Sequence, residues 1–164
     1  MGRGRLDEAE SRLADAHAQA VALGRKDSAI EAAIHLAACR LALDRPDEAL
    51  ATLRAARRGA RQESVLYAPQ VAPVEARVLT ALGRTDEARA VASTGAAEAR
   101  EQGLVYELAL ALLALADVEL VAGADPTAPA VAGPTAEAAD LLSRLGCAVP
   151  EPAHRAQRGS PGPS

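Results

Sequence analysis

Apolar residues recur at intervals of three and four along most of the chain, the period of an amphipathic helix. Ala9, Leu13, Ala16, Ala20 and Leu23 share one face, and Ile30, Ala33, Ile34, Ala37, Ala38 and Leu41 share the next. Two further stripes follow, Ala49, Leu53, Ala56 and Ala60, then Ala88, Val91, Ala92, Gly95, Ala96 and Ala99. The last consists of small side chains and predicts close approach by a neighbouring helix. Segment 104–121 is apolar nearly all round, interrupted mainly by Glu107, Asp117 and Glu119, and is expected to be the most buried helix. Pro69 and Pro73 fall inside segment 65–82 and predict a kink, or a true start near Pro73 after a looser turn. Segment 124–134 holds three prolines and a glycine and reads as a loop. Thr135 then caps a final helix that buries Ala138, Leu141, Leu142 and Leu145 and ends at Gly146.

A motif joins these helices. Gly4-Arg5-Leu6-Asp7-Glu8-Ala9 returns as Asp44-Arg45-Pro46-Asp47-Glu48-Ala49 and as Gly83-Arg84-Thr85-Asp86-Glu87-Ala88, at intervals of 40 and 39 residues, and Gly123 opens a fourth turn 40 residues on. Self-similarity at a fixed period marks a repeat array. Each copy reads as a tight corner: a left-handed residue ends one helix, and carboxylates at the start of the next complement its free N–H groups and dipole. Only residues 1–3 precede the first corner, so the chain begins inside a repeat. The expectation is a C-terminal piece of a longer chain, whose first helix exposes apolar surface that a preceding layer would cover. Self-association of first helices into a homodimer is a further expectation.

Composition limits what such helices can bury. There is no Trp and no Phe, and Tyr67 and Tyr106 are the only aromatics, so Ala, Leu and Val fill the core. Small side chains bury little area each and need close helix approach. The formal charge is −4, which lacks the basic footprint of a nucleic-acid binder and excludes no protein partner. Cys39 and Cys147 form no CxxC pair and no disulfide framework, which favours a reducing compartment. The N-terminus lacks a signal-peptide pattern, and the longest apolar run, 108–116, is far short of the roughly 20 residues of a membrane helix. A cytoplasmic protein with no membrane contact is expected. Residues 150–164, rich in Pro, Gly, Ser and Arg, are expected to be a disordered tail behind a helical domain spanning 1–149.

Chemical constellations are sparse. His35 and Cys39 stand four apart, a spacing able to supply two metal ligands, but no second pair accompanies them. Cys39 reads better as a small buried residue, and no metal or cofactor is expected. Arg54, Arg57, Arg58 and Arg61 form a basic stripe at helical spacing, either a contact for an acidic partner or a solvated helix end whose cations suit the dipole. The second reading is favoured; if any surface binds an acidic partner, this is the candidate. Tyr67 and Tyr106 occupy equivalent repeat positions and either pack between layers or face a ligand on the concave side. The Asp-Glu pairs recur at helix starts, so capping accounts for them better than acid–base chemistry. No phosphate loop, dinucleotide fingerprint or nucleophile elbow is present, and catalysis is not expected.

The corner motif followed by a small residue resembles the tetratricopeptide repeat, in which Gly closes the first helix and Ala lies five residues on, as from Gly4 to Ala9 and from Gly83 to Ala88. The period here exceeds the about 34 residues of that family, and the family's Trp and Leu-Gly signature is missing. Longer repeats of this kind, with stretches like 99–110 and 136–146, are similar to the C-terminal helical regions of large bacterial regulators. Those join a signal-transduction ATPase domain to a nucleotide-cyclase or a LuxR-type DNA-binding domain. The resemblance covers residues 4–149. It implies an α-α superhelix of antiparallel helix pairs that holds a protein partner or an adjacent domain. Two alternatives stand beside that expectation: a ligand-sensing regulatory solenoid, and a fragment of a cyclase-type polypeptide with no activity of its own.

Overall fold

Corners set the architecture. The computed structural model describes residues 3–63 and 68–149, the side chains of 59–63 excepted. Among them run α1 (Arg3–Ala22), α2 (Lys26–Ala42), α3 (Pro46–Glu63), α4 (Ala68–Ala81), α5 (Thr85–Gln102), α6 (Val105–Val121) and α7 (Pro129–Arg144). No strand occurs among the described residues, and the fold is all-α.

Left-handed backbone stands at Gly24, Asp44, Gly83, Gly103, Gly123 and Gly146. After each, the next N–H donates to the carbonyl five residues back at 2.9 Å, from Arg25 to Ala20 through to Cys147 to Leu142. This closes the orphan carbonyls of the preceding helix and reverses the chain. Corners at Gly24 and Gly103 therefore join those read at Asp44, Gly83 and Gly123. Gly4 instead lies in the first turn of α1. The same letters, Gly-Arg-x-Asp, form a corner at Gly24, where the Arg25 N–H donates to the Ala20 carbonyl.

Consecutive helices run antiparallel, as their cross-contacts lie equidistant from the corner between them. Arg40 on α2 meets Glu10 on α1, and Arg89 on α5 meets Glu119 on α6. Each helix packs on its chain neighbours, and α4 also touches α2 and α6. Helices α1, α3, α5 and α7 make no such approach to one another among the described residues.

The most buried helix is α4, not α6 as its composition predicts. Nine residues of α4 are buried, against seven of the longer α6. Position explains this: α4 lies against α2, α3, α5 and α6, whereas α6 lies against α4, α5 and α7 alone. Helix α4 runs unbroken from Ala68 through both prolines. Both lie within its first two turns, where few backbone bonds are lost. The small-residue stripe of α5 is buried at Ala88, Ala92, Gly95, Ala96 and Ala99, and Gly95 lies against Ala72 of α4.

Segment 124–134 is only partly a loop. Pro129 opens α7 at a position that needs no N–H, and Pro134 lies inside it. Thr135 is therefore no cap; its hydroxyl donates to the Val131 carbonyl one turn back at 2.7 Å. Burying Val131 contributes about 1.5–3 kcal/mol, enough to offset most of the roughly 3 kcal/mol that an internal proline costs.

At the first helix, α1 approaches α2 alone among the helices and buries only Ala20, leaving Val21 and Leu23 exposed.

Candidate interaction surfaces

Two arginines of the α3 stripe, Arg54 and Arg57, reach toward α4. Helix α4 carries one carboxylate, Glu75, at 5% exposure. Arg57 places Nη1 3.4 Å from Glu75 Oε2, and Arg54 places Nε 4.0 Å from Oε1. Arg54 also reaches Glu87 on α5 at 3.5 Å, and Glu87 accepts two bonds of 2.7 Å from Arg84. The result is a five-member chain, Arg57–Glu75–Arg54–Glu87–Arg84, across α3, α4 and α5. Its outer end titrates low: the hydrogen bond from Arg84, and then the charges of Arg84 and Arg54, hold the Glu87 carboxyl below its ordinary range.

Neither sequence reading of the stripe describes Arg57, whose side chain is 11% exposed and occupied by an internal carboxylate. Arg58 is exposed. The side chain of Arg61 and the whole of Tyr67 lie outside the described residues. Tyr106, in the first turn of α6, is 46% exposed. Glu75 was not singled out from the sequence. The available signal was the one acidic residue of α4, following an arginine stripe at antiparallel register.

Of the corner carboxylates, Glu48, Asp86 and Glu87 bond to arginine. No side chain caps α5. Glu48 accepts from Arg45 at 2.6 and 2.5 Å, the same arrangement as Glu87 with Arg84, and Asp86 accepts from Arg89 at 2.9 Å. Longer pairs stitch the odd-numbered helices together: Glu10 of α1 with Arg45 at the start of α3, Arg54 of α3 with Glu87 of α5, and Arg100 of α5 with Glu137 of α7.

His35 and Cys39 do not converge. His35 is exposed, while the half-buried Cys39 thiol donates to the Leu6 carbonyl of α1 at 3.3 Å. Burial, then the charges of Glu10 and Asp7, push that thiol up from its ordinary value. No cluster of three or more His, Cys, Asp or Glu able to hold a metal occurs among the described residues. No described helix is long and apolar enough to cross a membrane.

One face of α6 remains open. Tyr106, Leu110, Leu113, Asp117, Leu120 and Val121 fall on one stripe at helical spacing, and none is fully buried. The buried residues of α6, from Leu108 to Val118, occupy the rest of its circumference. Leu113 leans on the cluster shared with α7. Comparison with family models, with curated proteins and with solved structures finds no match for this chain.

Proposed function

We propose that the chain is a tetratricopeptide-like interaction module, an α-α superhelix that presents a curved surface to a protein partner or to an adjacent domain of a larger signalling or transcriptional regulator. It binds and does not catalyse. One arrangement carries this reading. The backbones of α2, α4 and α6 approach one another in succession, while among the described residues the backbones of α1, α3, α5 and α7 make no such approach and arginine–carboxylate pairs reach between those helices. A stack whose two rows are unequally spaced bends toward the closer row, and a rigid bent face docks a partner with little ordering cost.

The test is photo-crosslinking of the full chain in the cells that produce it, with the crosslinker at His35, Arg77 or Tyr106 of the even row, or at Arg12 or Ser93 of the odd row. A defined protein joined from the even row supports the reading. Adducts equally distributed over both rows, or purified chain that turns over a substrate, overturn it.

A further inference from the structure

We infer that the open face of α6 is the seat of a partner helix with an aliphatic stripe and basic flanks, which deepens the interaction reading and rests on it. The face has the spacing of a helix-in-groove site: Tyr106, Leu110, Leu113, Asp117 and Leu120 follow at intervals of four, three, four and three, with Val121 beside the last, so the stripe is apolar except at Asp117. The fold supplies the template, because α2, α4 and α6 already stack as one row and a further helix beside α6 continues it.

Charge identifies the occupant. Segment 101–149 holds seven carboxylates against a single cation, Arg144, a formal −6 that becomes −4 once Arg89 and Arg100, the partners of Glu119 and Glu137, are counted. Arg144 is itself paired with Asp140 at 2.8 Å. Glu101 and Glu107 stand near the N-terminal end of α6, outside the ion pairs described above. A second copy docking through the same face would set one acidic region, −4 after its arginine partners are counted, against another, which disfavours it. Residues 150–164 contain no Val, Leu, Ile, Met or aromatic residue to fill the stripe. A cationic amphipathic helix satisfies both halves of the surface, and Tyr106, half-exposed, is accessible for a cation–π contact with a lysine or arginine.

The experiment measures fluorescence anisotropy of the full chain with two labelled synthetic helices of about four turns that share a leucine stripe. One carries lysine and arginine on its flanks and the other glutamate. The basic helix is expected to bind at least tenfold more tightly than its acidic twin. Tyr106→Ser with Val121→Ser, both exposed positions, is expected to weaken it at least tenfold without moving the thermal midpoint, and Glu107→Lys to narrow the preference. Equal binding of the two helices, no binding of either, or binding indifferent to the Tyr106→Ser/Val121→Ser change overturns the inference. So does a dimer in sedimentation that this change dissolves. A cellular protein crosslinked at His35 or Arg77 but not at Tyr106 removes the α6 seat while leaving the interaction reading standing.

Discussion

A methyl group added at Gly95 would lie 2.4 Å from the Cβ of Ala72, so α4 and α5 meet where α5 has no side chain at all. Gly95 is buried and helical, and its role there is space rather than backbone freedom. In a core without Trp or Phe, such close approach is how small residues gain dispersion contacts.

Gly95→Ala is therefore expected to destabilise the fold by about 1–3 kcal/mol through overpacking, against a helix-propensity gain of about 1 kcal/mol. The thermal midpoint should fall. Ala72→Gly added to Gly95→Ala should recover part of the loss, because it removes the methyl that clashes. Independent, additive effects of the two changes would show that they do not meet.

Glu75→Ala leaves Arg57 buried without its partner and is expected to cost about 3–5 kcal/mol in denaturant unfolding. The joint change Arg57→Met with Glu75→Leu should recover most of it, since an apolar pair leaves no charge to desolvate. Arg54→Ala should cost far less, because the Arg54 side chain is 42% exposed.

Asp44 is the one described non-glycine residue with left-handed backbone, at φ 61, where the other corners carry glycine. Asp44→Gly is expected to raise the thermal midpoint modestly. The relief of left-handed strain, about 1 kcal/mol, exceeds the added freedom of the unfolded chain. Asp44→Val should lower the stability by about 1–2 kcal/mol, and the thermal midpoint with it.

Hydrogen bonds from Arg45, Arg84 and Arg89 hold the carboxyls of Glu48, Glu87 and Glu119 below the ordinary 4.5. A carboxylate whose folded pKa is lowered contributes stability that is complete above its unfolded pKa and is lost as pH falls through the folded one. The denaturant midpoint should thus be flat from pH 8 to about 6 and fall below about 4.5. Glu119→Gln, which removes the pair between α5 and α6, should flatten that acid limb.

Cys147 is exposed, whereas Cys39 is half-buried, hydrogen-bonded and held protonated by burial. Alkylation at pH 8 should label Cys147 first, with Cys39 following only slowly. Equal rates would mean that α1 separates readily from α2.

The local devices were the legible part. Helical spacing of Ile30, Ala33 and Ala37 and the left-handed corners at Asp44, Gly83 and Gly123 are written within a turn or two of sequence, because backbone hydrogen bonds there reach only a few residues. Thr135 misled because a hydroxyl near a proline serves equally as a cap or as a donor to the preceding turn, and Val131 decided between them by being buried. The arginine stripe misled because whether Arg57 faces water or a carboxylate depends on which residue of α4 comes opposite it.

Sequence alone determined the class: period, corners, an all-helical chain and a core of Ala, Leu and Val. Tertiary structure decided the rest. It made α4 rather than the more apolar α6 the most buried helix, paired Arg57 with Glu75, and left one stripe of α6 open. Local structure follows from interactions within a turn of the chain. Burial and pairing follow from which helix lies beside which, and that depends on how all the helices pack together.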